Sequence, residues 1–167
     1  MIAWRICKHA YSSRQAVLNG NGAREEAGRW NEPGLPLVYA SETSSLALLE
    51  TLVHASFALL PKSLVAIRIE IPDDAAVHEI AIADLPNNWF EIGNAQCVAL
   101  GSAWIRQGRK LALRVPSATN PLERNILLNP AHAGIARCSV SRPIAVHFDD
   151  RFAPLFDVAS ARRRRSS

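Results

Sequence analysis

Apolar positions recur with two different periods along this chain, and the switches between them predict its elements. From Ser63 to Ile71, Val65, Ile67, Ile69 and Ile71 alternate with Ala66, Arg68 and Glu70, the period-two signature of a half-buried strand. Leu111, Leu113 and Val115 alternate with Ala112 and Arg114 in the same way; their strand stops at Pro116 and leaves Ser117 at a strand end. Ile2 to Cys7, Leu37 to Tyr39 and Ile144 to Phe148 predict shorter strands, and Ala76 to Ile82 a brief return after the turn at Pro72-Asp73-Asp74. Two stretches switch to the helical period. One opens near Ser44, capped by Ser44 or Ser45, and runs towards Phe57 to Pro61; the other spans Asn94 to Gln107, between Asn94 as cap and Gly108 beyond its end, and turns Val98, Trp104 and Ile105 inwards. His9 to Asn21 reads as a loop or irregular helix able to move over a site, Asp84 to Gly93 as a loop whose Trp89-Phe90 plugs the core, and Asn120 to Pro130 as a polar, proline-bracketed connection. Short strands with two clear helices give the α+β class, a single domain with a twisted, antiparallel or mixed sheet and flanking helices.

The helix that opens near Ser44 contains an anomaly. At about 100° per residue, Glu50 projects beside Leu46, Leu49, Val53 and Phe57. An ionised, unpaired carboxylate on an apolar face is costly, so Glu50 must find a cation, hydrogen-bond donors or a proton. Arg29, displayed by the preceding glycine-punctuated loop, is the nearest strong cation in sequence. A structural Arg–Glu pair and a functional site are equally open on that spacing. Trp30, Asn31, Tyr39 and Ser41 add aromatic faces and polar tips to the same Gly22 to Glu50 segment, with a turn at Pro33-Gly34 inside it. Taken alone, Ser117 is a turn residue, His132 a loop histidine, and Asn125 and Asn129 side chains that hold backbone. His54 follows Glu50 by one helical turn, as an orienting partner or a partly exposed histidine. Arg5 sits in the first strand, where a surface charge is one of two readings.

Composition adds limits. With 167 residues, 49% hydrophobic and 20% charged, the chain suits one globular domain, expected at 1–157, followed by a disordered arginine-rich tail at 158–167. The net charge is +4, and Arg162 to Arg165 supply four positive charges, so the remainder is formally neutral and a folded basic groove for nucleic acid is disfavoured. Cys7, Cys97 and Cys138 are widely spaced and odd in number, which predicts reduced thiols and no metal-ligand pair. No secretory series opens the chain and Ser44 to Leu60 is too short and too polar to span a bilayer, so the cytoplasm is the expected compartment. No GxGxxG follows a strand, which argues against a Rossmann dinucleotide site.

Several segments together resemble one family. GAREEAGRWNEPGLPLVYASETSSLALLETLVH, LRVPSA with Ser117, NILLNPAH with Asn129-Pro130 and His132, and HFDDRF follow one another as in the RES domain, named for an arginine, a glutamate and a serine, and the likeness runs from Trp4-Arg5 to Phe152. The resemblance implies an ADP-ribosyltransferase-like fold, with split, twisted β-sheets clasping NAD+ in a cleft, and a toxin of a bacterial toxin–antitoxin pair. Such a toxin consumes NAD+ as substrate at the nicotinamide–ribose bond, without a metal, using water or inorganic phosphate as acceptor. Its partner would be an Xre-type antitoxin inserted into the cleft, with which it would oligomerise and through which alone it would meet nucleic acid. The residues implied as catalytic are Arg29, Tyr39, Glu50 and Ser117; those implied to bind NAD+ are Arg5, Trp30, Asn31, Ser41, His54 and Asn129. The alternatives are transfer of ADP-ribose to a cellular protein and, from another class, a basic nucleic-acid-binding module.

Overall fold

The computed structural model describes residues 1–54, 63–149 and 151, with His54 described through its backbone alone. Among these residues, eight strands form one sheet: β1 (Ile2–Lys8), β2 (Val38–Ser41), β3 (Leu64–Glu70), β4 (Val77–Glu79), β5 (Ala112–Pro116), β6 (Arg124–Leu128), β7 (Ser139–Val140) and β8 (Ile144–Ala145). Their order is β4-β5-β6-β2-β1-β3-β7, with β8 also on β3. Every pairing is antiparallel except the parallel β4–β5 contact.

The path is not uniformly held. β1 pairs with β3 along its length, from Ile2↔Glu70 to Lys8↔Leu64, and β2 with β6 from Val38↔Leu128 to Ser41↔Asn125. β1 and β2 meet only at Trp4↔Ser41. One bridge thus joins a β4-β5-β6-β2 half to a β1-β3-β7-β8 half within a single sheet, the form taken here by the split that the resemblance implies. Beside that joint, Arg5 Nη1 donates to the Tyr39 carbonyl at 3.1 Å, so a side chain takes an acceptor that a ladder amide would otherwise take.

Among the described residues, four α-helices flank the strands: α1 (Arg14–Leu18), α2 (Asn21–Glu25), α3 (Ser44–His54) and α4 (Ala95–Gln107). α4 is bounded as expected: Asn94 Oδ1 accepts from the Gln96 and Cys97 amides, and Gly108 takes a left-handed φ of 62°. α3 is capped one residue earlier than predicted. Thr43 Oγ1 accepts from Leu46 N at 3.0 Å, which places Ser44 and Ser45 inside the helix, because the cap must reach an amide three residues on.

Alternation along the strands separates two cores. Ile126 and Leu128 of β6, Val38 and Ala40 of β2 and Ala112 of β5 join Val17 and Leu18 of α1, whereas Leu127, Leu113 and Val115 join Trp30, Trp89, Trp104 and Ile105 on the α4 side. α4 crosses the Trp30 loop so closely that a Cβ on Gly101 would lie 2.0 Å from the Trp30 carbonyl oxygen.

Other expectations are corrected. The segment read as a connection from Asn120 to Pro130 contains β6, an interior strand between β5 and β2. Asn125, Asn129 and the flanking prolines resemble turn chemistry locally, but the tertiary ladder overrides it. Cys97, Gly101 and Ser102 are buried on α4 with Trp104 and Ile105, while Val98 is only half-buried. Phe90 is exposed, and Trp89 alone enters the core. Leu49 and Val53 are exposed too; among the described residues of α3, Leu46, Ala47 and Leu52 face inwards. The closing strand shrinks to Ile144–Ala145, and His9 to Asn21 contains a short 3-10 turn, α1 and the start of α2. The end of the predicted helix at Phe57 to Pro61, Phe152 of the resembled closing motif and the Arg162 to Arg165 run lie outside the described residues.

Candidate active site

Glu50 lies half-buried on α3, where the helix passes the ends of β5 and β6. Ser117 Oγ donates to Glu50 Oε1 at 2.8 Å, Asn125 Nδ2 donates to the same oxygen at 2.7 Å, and Thr119 Oγ1 donates to Oε2 at 3.1 Å. Three neutral donors thus reach the carboxylate that the helical projection singles out. Ser117 can serve because β5 ends at Pro116 and the chain turns. Its own hydroxyl oxygen accepts the amides of Thr119 and Asn120 at 3.1 and 3.0 Å, and its side chain is fully buried. Asn125 is the register partner of Ser41, whose Oγ donates to Asn125 Oδ1 at 2.8 Å. Around this cluster, Thr43 donates to one oxygen of Glu123, Asn120 donates to the other, and Glu42 accepts from the Arg124 amide.

The Arg29 loop approaches the same face of the sheet. Tyr39 and Ser41 are two residues apart on β2 and project to one side. Above the Tyr39 ring lies Gly28: a Cβ there would sit 2.5 Å from the phenol oxygen. The Tyr39 hydroxyl accepts from Trp30 N at 3.0 Å and donates to Asn31 Oδ1 at 2.8 Å. Burial pushes the Tyr39 phenol well above its ordinary value, against the lesser lowering effects of the Trp30 amide and the Arg29 charge. Arg29 therefore stands near Tyr39, on the side of the sheet from which Glu50 meets Asn125. None of the described ion pairs joins Arg29 to Glu50: Arg29 Nη1 donates to the carbonyls of Trp89 and Glu91 at 2.8 and 2.5 Å.

The other expected site residues are placed as follows. Asn31 is fully buried; its Nδ2 donates to the Ala23, Glu32 and Leu35 carbonyls, and its Oδ1 also accepts from Gly28 N. Trp30 is 2% exposed in the α4-side core. Asn129 is buried away from Glu50, donating to the Ile105 carbonyl and accepting from Ala131 N. Arg5 lies along the split, where burial lowers its guanidinium below the ordinary value and the Cys7 charge acts the other way; its Nε is buried without a partner. His54 ends α3, and its side chain lies outside the description. The structure thus joins Glu50, Ser117 and Ser41 in one network, with Arg29, Trp30, Asn31 and Tyr39 in a second beside it. Asn125 does not hold backbone, as its composition suggested, and Thr119 carried no signal in the sequence. Only their place opposite Ser41 and beyond Ser117 reveals them.

A shallow groove of about 590 Å³ runs over the outer face of α4, lined by Leu85, Pro86, Ala99, Leu100 and Ala103 among others, and none of these residues touches the Glu50 network. Among the described residues, no cluster of three His, Cys, Asp or Glu side chains could hold a metal ion, and no helix is long and apolar enough to cross a membrane.

Comparison with known proteins adds lineage to this geometry. The RES domain profile matches residues 2–149. A protein named Prs ADP-ribosylating toxin from Sphingobium sp. (strain YBL2) is 40% identical over 132 residues, 77% of this chain and 82% of its own. Toxin Res from Yersinia enterocolitica is 34% identical over 153 residues, covering 90% and 99%. Toxin Res from Pseudomonas putida is 36% identical over 137 residues, covering 79% and 86%. A chain of the M. tuberculosis MbcT–MbcA toxin–antitoxin complex superposes with a TM-score of 0.65 at 20% identity, over 94% of this chain and 88% of that one, a likeness of fold.

Proposed function

The chain belongs to the RES domain family and has an ADP-ribosyltransferase-like fold, and from that premise we propose that it is the toxin of a toxin–antitoxin pair, acting in the cytoplasm by breaking the nicotinamide–ribose bond of NAD+. The observation that carries the reading is the convergence of Ser117, Thr119 and Asn125 on the Glu50 carboxylate, with the Arg29 loop on the same sheet face.

As the glycosidic bond breaks, positive charge develops on the ribose, in an oxocarbenium-like state. A carboxylate oriented in advance by hydroxyl and amide donors stabilises that charge more than it stabilises neutral ground-state ribose, which is the condition for acceleration. Glu50 takes this role and accepts from a ribose hydroxyl. Nicotinamide leaves as a neutral molecule, so a second acid is not required. Arg29 holds the pyrophosphate through its planar fork, with the Trp89 and Glu91 carbonyls steadying the guanidinium. Because the Tyr39 hydroxyl is already engaged, Tyr39 offers the flat of its ring to nicotinamide or ribose. Ser117 orients Glu50, Arg5 secures the split, and Trp30, Asn31 and Asn129 keep the surrounding loops in place.

Water or inorganic phosphate takes the ADP-ribose, which makes the protein an NAD+ glycohydrolase or phosphorylase. The relative named as an ADP-ribosylating toxin favours a second reading, transfer of ADP-ribose to a cellular protein. The antitoxin partner is supported by the toxin–antitoxin complex that shares the fold, and an Xre-type protein is the partner proposed. The nucleic-acid-binding reading rests on an arginine run outside the described residues and has no support from the site. Purified protein incubated with NAD+, with and without phosphate, tests the proposal by mass analysis. Free nicotinamide with ADP-ribose or phosphorylated ADP-ribose is expected, and both Glu50→Gln and Arg29→Ala abolish release. Full turnover in both variants refutes the assignment, and label from NAD+ appearing on a protein in cell extract selects the second reading.

A further inference from the structure

We propose that Asn125 is a positioning residue for Glu50 and that Ser41 anchors the far end of the Asn125 amide; this rests on the functional reading above. A carboxamide is nearly symmetric in shape, yet its two ends are opposite in hydrogen bonding: the oxygen accepts and the NH₂ donates. Which end faces Glu50 decides whether the contact attracts or repels. Here Ser41 Oγ donates to Asn125 Oδ1 at 2.8 Å, and Asn125 Nδ2 donates to Glu50 Oε1 at 2.7 Å. A flipped amide would lose the bond to Glu50 and set its oxygen against the carboxylate, whereas the Ser41 hydroxyl, able to donate or accept, would keep hold of either end.

The backbone explains why this arrangement holds. Ser41 and Asn125 are direct register partners across the β2–β6 ladder, so their Cβ atoms are held at about 5 Å. Ser41 is also the residue through which β2 meets β1, opposite Trp4, and it is 3% exposed. The relay therefore begins at the joint between the two halves of the sheet and ends on the carboxylate. Ser117 meets the same oxygen of Glu50, so two donors from different strand ends fix the carboxylate plane, and Thr119 fixes its other oxygen.

Asn125→Asp tests this most sharply because it keeps the shape and replaces the donor with an acceptor. Two carboxylates in hydrogen-bond contact cannot both be charged at neutral pH without strong repulsion. Nicotinamide release by Asn125→Asp should fall about 100-fold at pH 7, with KM for NAD+ changed far less than kcat, and its activity relative to the parent protein should rise between about pH 6 and 9 as the second proton leaves. Ser41→Ala should lower kcat by about tenfold because the Asn125 amide loses its anchor, and Ser41→Thr, which restores a hydroxyl, should recover most of it. A merely structural role would lower folded yield without tilting the pH ratio or separating kcat from KM. If the parent protein releases nicotinamide and Glu50→Gln does not, while Asn125→Asp follows the parent at every pH, the positioning role is refuted alone. A parent protein without NAD+ cleavage overturns the functional reading and the positioning role with it.

Discussion

The Glu50 network and the Arg29 loop are built from similar side chains and put them to opposite uses. In the first, Ser117, Thr119 and Asn125 direct their donors at a carboxylate. In the second, Asn31, Arg29 and Tyr39 direct theirs at peptide groups and at one another. An asparagine bonded to carbonyls replaces missing secondary structure, and its loss is felt by the fold. An asparagine bonded to a charged side chain determines where that charge sits, and its loss is felt by the chemistry. Residue type therefore carries less functional meaning than the partner that the tertiary structure supplies.

Four substitutions, in descending order of effect, put this contrast at risk. Glu50→Gln keeps the shape and removes the charge; nicotinamide release should fall about 1000-fold while the urea midpoint moves little, because amide and hydroxyl partners can re-pair. An equal loss of folding and activity would place Glu50 with the structural network instead. Asn31→Ala should do the reverse. It strands the Ala23 and Leu35 carbonyls and the Gly28 amide, for a loss of about 3 kcal/mol of stability, and activity should track the folded fraction in chemical denaturation.

Tyr39→Phe is smaller, about 1 to 2 kcal/mol, since the ring stays and the Trp30 amide loses its acceptor. It also carries a pH signature. Burial raises the folded phenol above its unfolded value, so its contribution is complete below about pH 10 and is lost as pH climbs through the raised value. Cys7, Cys97 and Cys138 are raised by burial as well and act in the same direction from lower pH. The parent protein should therefore lose more stability than Tyr39→Phe between pH 9 and about 11, and identical pH slopes would remove Tyr39 as the cause. The smallest effect belongs to Asp74, exposed and bonded to Arg137, which holds its carboxyl below the usual range. That pairing contributes above the unfolded carboxyl value and fades as pH falls through the lowered one, and solvent screening leaves little of it. Asp74→Asn should leave the thermal midpoint at neutral pH almost unmoved.

Elements with local causes could be read from the chain alone. β3 and β5 were legible because alternation sets both faces of a strand, α4 because Asn94 and Gly108 bound it chemically, and the Pro33-Gly34 turn because Gly34, at φ 88°, needs the freedom of glycine. It also singled out Glu50, since a carboxylate in an apolar helix is visible without coordinates, and its ordered motifs matched a family that spans nearly the whole chain. The folded chain was needed to see that Asn120 to Pro130 contains an interior strand, that Thr43 rather than a serine caps α3, and that Arg29 meets carbonyls while Asn125 and Thr119 meet Glu50. Distance along the chain separates the two cases. Caps, turns and alternation act within a few residues, but Glu50 and Asn125 are 75 positions apart, and no local preference encodes which donor a long-range ladder will bring to a buried charge.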